Sequence, residues 1–125
     1  MVGDVMGRGL GAAHTMIQVR TALRARALET NDPAQLLTRL DQHMRMFHPG
    51  EPATVWCGVL DPGPGVVRMA SAGHPPPAVS RPGSAARFAD VLPGVPVGVA
   101  YPKQERRSSR LTLGPGEVLC ATSTG

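Results

Sequence analysis

The sequence predicts an α+β domain, and three observations carry that prediction. Apolar residues first recur every three or four positions, over two segments that end at Pro49-Gly50. Beyond Gly50 the helical period gives way to short runs of β-strand character. Those runs are divided by glycine and proline; the 15 glycines and 13 prolines of the chain lie between apolar stretches, not in one tract, which marks tight turns.

In chain order, residues 2–5 read as the tail of a strand, and Gly7-Arg8-Gly9-Leu10-Gly11 as a glycine-rich turn. A helix is expected over 12–29, because Ala12, Met16, Val19, Leu23 and Ala27 share one face, with Arg20, Arg24 and Arg26 off it. Asn31-Asp32-Pro33 restarts the chain: Asp32 suits an N-cap and Pro33 the first helical position. Leu36, Leu37, Leu40, Met44 and Phe47 carry the second helix to His48-Pro49-Gly50, which stops it. A buried strand follows over 53–60, ended by Asp61-Pro62-Gly63, and 66–72 pairs with it as a hairpin. Short strands are expected near 78–80 and 86–89, with a loop at Pro93-Gly94-Val95-Pro96. Residues 107–113 and 117–122 read as a final hairpin turning at Gly114-Pro115-Gly116. Two helices followed by an antiparallel meander define the α+β class. No repeat or linker divides the chain.

Composition narrows the function. A chain of 125 residues suits one domain with one modest core. With 42% hydrophobic but only 3% aromatic residues, Leu, Val, Ala and Met must fill that core. The formal charge is +4, almost all from dispersed arginines, since Lys103 is the only lysine. Phe47, Phe88, Trp56 and Tyr101 form no stacking platform, so nucleic acid is not expected. A mildly basic face suits an acidic or phosphorylated partner. Cys57 and Cys120 each lie in an apolar run without metal-type spacing, and are expected as buried free thiols in a reducing compartment, with a disulfide as the second reading. No apolar stretch approaches a membrane span and no signal peptide precedes the chain, so no membrane partner and a cytoplasmic location are expected.

The chemistry concentrates in Val2-Gly3-Asp4-Val5-Met6-Gly7-Arg8-Gly9-Leu10-Gly11-Ala12-Ala13. A carboxylate at a strand end, then glycines, then a helix, is a good place for a hard cation. Asp4 supplies charge and oxygen, and a close carbonyl such as that of Val5 joins it. The plain alternative is that Asp4 is a structural cap. A third reading, a dinucleotide loop with Glu29 at the ribose, conflicts with the G-x-G-x-G spacing and with a second helix where a parallel strand is required.

The same segment resembles the GDVMGxG motif of SpoIIE-like protein serine/threonine phosphatases of the PPM (PP2C) type. Later segments resemble that family in the same order. They are Val59-Leu60-Asp61-Pro62, Ala70-Ser71-Ala72-Gly73-His74-Pro75-Pro76-Pro77, Leu92-Pro93-Gly94-Val95-Pro96-Val97-Gly98-Val99 and Leu113-Gly114-Pro115-Gly116-Glu117-Val118-Leu119. The resemblance implies a PP2C-like antiparallel β-sandwich with flanking helices, in αββα layers, incomplete here. Residues 1–125 would be the central part of one such domain, cut at both ends. It implies hydrolysis of phosphoserine or phosphothreonine by water activated between two Mn²⁺ or Mg²⁺ ions, with Asp4 bridging them and the Val5 carbonyl as a further ligand. The implied partner is a phosphorylated protein substrate or sigma-factor regulator of anti-anti-sigma type.

The chain also departs from that pattern. The family's upstream metal-binding Asp is absent, and Thr124 stands where another is expected. Weak metal binding and negligible activity follow for this chain alone, which leaves a non-catalytic module binding a signalling partner as the alternative. An open sheet edge would favour a homodimer. Arg8 is a candidate phosphate or partner contact near a helix start, or a solvated loop residue. His74 has the same candidate role, with a structural hydrogen bond at a strand exit as the first reading. His14, His43 and His48 have no ligand spacing and are expected at the surface. Met6, Met16, Met44, Met46 and Met69 are expected to pack.

Overall fold

The computed structural model describes residues 1–5, 9–99 and 105–122. The elements are β1 (Val2–Val5), α1 (Leu10–Ala27), α2 (Pro33–Phe47), β2 (Ala53–Asp61), β3 (Val66–Ala72), β4 (Ala78–Ser80), β5 (Arg87–Phe88), β6 (Ser109–Thr112) and β7 (Val118–Cys120). Strands β1-β2-β3-β6 form one sheet and β5-β4-β7 a second, and every ladder is antiparallel. The fold is α+β, with a helical layer, a four-stranded sheet and a three-stranded sheet among the described residues.

Side-chain alternation explains the layering. On β2, Ala53, Val55 and Cys57 face the helices, joined by Ala70 and Ala72 of β3. They meet Val19, Ala22 and Leu23 of α1 and Leu36, Leu37, Leu40 and Met44 of α2. Full burial of side chains such as Leu37 and Leu40 stabilises the fold by roughly 1.5–3 kcal/mol each. The opposite face contributes Trp56, Val67 and Met69, which pack on Val79 of the second sheet and on Ala89.

The helix boundaries follow local chemistry. Asp32 caps α2, its Oδ1 accepting from the Ala34 amide at 3.3 Å. Ser108 ties that cap to the segment before β6, donating to Asp32 Oδ1 at 2.6 Å. The apolar stripe of α1 is as expected at Met16, Val19 and Leu23, but it also takes in Thr15 and Ala22, while Ala27 is exposed at the helix end. Glu29, the ribose contact of the dinucleotide reading, is instead ion-paired with Arg26 and Arg39 between the helices. Among the described residues no two strands pair in parallel, and that reading ends.

Several expectations need correction, and two are brief: Met46, expected to pack, and Phe47, expected on the apolar face of α2, are both exposed. The last two strands are not a hairpin: β6 pairs with β3 and β7 with β4, so Gly114-Pro115-Gly116 carries the chain from one sheet to the other. Leu111, Leu113 and Leu119 all pack into the core between the sheets, and that shared burial favours a crossing over a local pairing. Cys120 is exposed, because the three residues of β7 show only Leu119 to that core. Cys57 is buried as expected and free, its Sγ 3.7 Å from the Pro33 carbonyl, and burial pushes its thiol up to about 12. His48 is half-buried, held against Glu51 at 3.3 Å where α2 ends, whereas His14 is exposed. No helix among the described residues is long and apolar enough to cross a membrane.

Candidate functional site

The site begins with the register of β1 on β2. Asp4 lies opposite Thr54, and Val5 opposite Ala53. Alternation therefore puts Asp4 on the face shared with Thr54 and Trp56, toward the second sheet, and Val5 on the helix face, where it packs against the first core. Close approach of the two strands needs Gly3: a Cβ there would stand 2.6 Å from the Thr54 carbonyl oxygen. The strand thus brings Asp4 near its C-terminal end, on the face toward the second sheet.

His74 meets Thr54, the residue opposite Asp4. It is only 6% exposed, at the exit of β3. Its Nε2 lies 2.8 Å from the Thr122 carbonyl oxygen and its Nδ1 3.2 Å from Thr54 Oγ1. A carbonyl only accepts, so the neutral ring carries its proton on Nε2, and the Thr54 hydroxyl donates to Nδ1. Thr54 Oγ1 is also 3.5 Å from the Asp4 carbonyl oxygen, a long contact at the edge of hydrogen bonding. One imidazole thus joins β2, the strand paired with β1, to the segment that follows β7.

The backbone around His74 is held from several sides. Ser71 Oγ accepts from the His74 amide at 3.1 Å and donates to the His74 carbonyl at 2.9 Å. Gly73 adopts φ +71°, and a Cβ there would fall 2.8 Å from Pro96. The loop carrying Pro96 is fixed in turn. Val97 exchanges two backbone hydrogen bonds with Ala53, at 2.9 and 3.0 Å, and Asp41 of α2 accepts from the Gly98 amide at 2.8 Å.

Of the residues singled out from sequence, Asp4, Val5 and His74 are therefore gathered at one end of the sandwich. Arg8 and Thr124 lie outside the described residues, although Thr122, two positions before Thr124, is the partner of His74. Sequence reasoning missed Thr54 and Ser71. Thr54 had a signal, since it is the one polar residue in the run Ala53-Thr54-Val55-Trp56-Cys57. Glu51 adds a carboxylate before β2, but Thr15 Oγ1 at 3.1 Å and His48 Nδ1 at 3.3 Å engage it. Among the described residues, no three His, Cys, Asp or Glu side chains converge in a way that would hold a metal ion.

Comparison with known proteins follows the same architecture. The family model described as Stage II sporulation protein E (SpoIIE) matches residues 1–125. A crystal structure of the RsbU and RsbW domains of a Mycobacterium tuberculosis protein aligns over 94% of this chain and 32% of its own, with a TM-score of 0.79 and 27% identity. The SiaA-PP2C domain of Pseudomonas aeruginosa aligns over 92% of this chain and 46% of its own, with a TM-score of 0.73 and 20% identity. The PP2C phosphatase domain with a regulatory fragment of SpoIIE from Bacillus subtilis aligns over 94% and 35%, with a TM-score of 0.69 and 13% identity. The last two likenesses speak for the fold alone. The chain spans between about a third and about half of these solved chains.

Proposed function

Because this chain belongs to the Stage II sporulation protein E (SpoIIE) family, we propose that it is phosphatase-type machinery for phosphoserine or phosphothreonine on a bacterial signalling protein, cytoplasmic and of anti-anti-sigma type, and that it is inactive by itself. The observation that carries this reading is the placement of Asp4 on the inter-sheet face at the end of β1, tied through Thr54 and His74 to the segment that leads to Thr124.

The family's reaction draws on two Mn²⁺ or Mg²⁺ ions, which supply an activated water and charge for the phosphoryl oxygens. The donors proposed here are the Asp4 carboxylate and the Val5 carbonyl. Hard dications need several charged oxygen ligands, and the repulsion between two of them grows as the carboxylates are lost. Thr124 offers a neutral hydroxyl at the position of an expected carboxylate. The donor set does not fit a two-ion centre, so no catalytic step is assigned to this chain. Loss of the carboxylate with retention of the surrounding framework supports a second reading, a non-catalytic phosphatase-fold module that still binds a signalling partner.

The test is manganese-dependent hydrolysis of p-nitrophenyl phosphate by the purified chain, with calorimetric titration of Mn²⁺ before and after Thr124→Asp. Negligible turnover and a gain in Mn²⁺ affinity in the variant are expected. Robust turnover by the unaltered chain would overturn the inactive reading. An unchanged affinity in a folded Thr124→Asp protein would remove Asp4 and position 124 from a shared site. Metal-independent capture of an anti-anti-sigma protein is the outcome that selects the binding module.

A further inference from the structure

A second feature lies on the far edge of β3 from Asp4. β3 pairs with β6 only as far as Met69, opposite Ser109. Beyond that point, at Ser71, the edge meets the loop at Leu92, Pro93 and Gly94 and the segment 105–107 instead of another strand. These surround a cleft of about 130 Å³. Gly94 lies so close that a Cβ would stand 2.3 Å from the Ser71 carbonyl oxygen, so the wall is bare backbone.

The charge in this cleft is uneven. Arg106 Nη1 donates to the Val95 carbonyl at 2.9 Å, which fixes the guanidinium against the loop. A guanidinium has five N–H donors in a fixed fork, and this contact uses one. Arg107 is exposed and forms no ion pair or side-chain hydrogen bond among the described residues. Among the described residues of the lining, Glu105 is the one acid. Burial and the charge of Arg45 disfavour the ionised Arg106, and Asp41 opposes them. A half-buried, positioned arginine beside a free one is the arrangement that receives planar or tetrahedral oxyanions by charge-assisted hydrogen bonds.

We propose that the cleft between Leu92-Pro93-Gly94 and Arg106-Arg107 is an oxyanion subsite that takes a phosphate carried on a polypeptide, distinct from the position of Asp4 and independent of metal. Ser71 joins the two places, because it lines the cleft and its hydroxyl holds the His74 backbone. The choice of a polypeptide as the carrier rests on the phosphatase reading; the oxyanion chemistry of the cleft does not.

The test uses the full 125-residue chain in EDTA, so that metal plays no part. A fluorescent serine-phosphorylated nonapeptide is titrated by anisotropy, with its unphosphorylated form, inorganic phosphate as competitor, and single-stranded RNA of matched charge. Phosphate-dependent binding, competed by inorganic phosphate, is expected. Arg107→Glu should weaken it about tenfold or more, while Arg20→Glu on α1 should leave it within about twofold. Arg106→Ala should weaken it too, but it also releases the Val95 contact, so Arg107→Glu is the deciding variant. Absence of phosphate-dependent binding, equal losses in Arg107→Glu and Arg20→Glu, or equal binding of RNA through Arg107 each overturns the proposal. Peptide binding in a Thr124→Asp protein that gains no affinity for Mn²⁺ would leave the subsite standing while the metal-site reading fails.

Discussion

The Thr54 hydroxyl stands 3.2 Å from Nδ1 of His74, and through that contact the first sheet is fastened to the residues that follow β7. Its partner is a neutral hydroxyl and the contact is no ion pair, so the link does not weaken with salt as a surface ion pair would. It is buried on the His74 side, where an unmet donor or acceptor is costly.

His74→Ala should therefore destabilise the chain by about 2–3 kcal/mol, from two lost hydrogen bonds and the stranded Thr122 carbonyl. Thr54→Val should cost about 1–2 kcal/mol. Urea unfolding of both variants and their combination gives a double-mutant cycle. Coupling of about 0.5 kcal/mol or more is expected, and strict additivity would show the two side chains to be energetically independent.

The glycines separate into those that hold space and those that do not. Gly94→Ala and Gly3→Ala force a Cβ to 2.3 Å from the Ser71 oxygen and 2.6 Å from the Thr54 oxygen, so both should lose about 1–3 kcal/mol. Gly11→Ala meets nothing within 4 Å inside α1 and should gain about 0.5–1 kcal/mol. A thermal melt of the three variants tests the order, and a stabilised Gly94→Ala would contradict the close approach of the loop to β3.

The two thiols should differ sharply in reactivity. At pH 8 a disulfide reagent should titrate Cys120 quickly and Cys57 only after urea is added. Burial raises the Cys57 thiol from 9.0 to about 12 in the folded chain. The unfolded state thus releases its proton first, and the contribution of Cys57 to stability, intact below pH 9, is lost as pH climbs from there toward 12. Equal labelling of both cysteines under native conditions would contradict the burial.

β1 is the outer strand of its sheet, and its far edge has no strand partner among the described residues. Such an edge pairs with other chains. Light scattering should show a mass that rises with protein concentration, and a monomer at every concentration would refute edge pairing.

Much of this fold is legible in the sequence because the signals are local. Asp32 and Pro33 announce the start of α2 by the same capping chemistry that the structure shows, and the strand at 53–60 is marked by a dense apolar run before Asp61-Pro62-Gly63. The ends of the chain were harder. Gly114-Pro115-Gly116 suits a hairpin and a crossing between sheets equally, and only the distant partners Val67 and Val79 decide between them. Asp4 and His74 were visible as polar residues in ordered motifs. Their connection was not, because it runs through Thr54, whose hydroxyl becomes meaningful only once β1 and β2 fix which face it shares.

The division of β6 and β7 between the two sheets bears on how the chain is made. β4, the central strand of its sheet, finds its second partner only when Val118-Leu119-Cys120 has been synthesised, about 40 residues downstream, a lag of roughly 2–8 s at ribosomal speed. Through that interval Trp56, Met69 and Val79 lack the Leu119 packing that later joins them, so the nascent polypeptide is most vulnerable to chaperone capture just before β7 emerges.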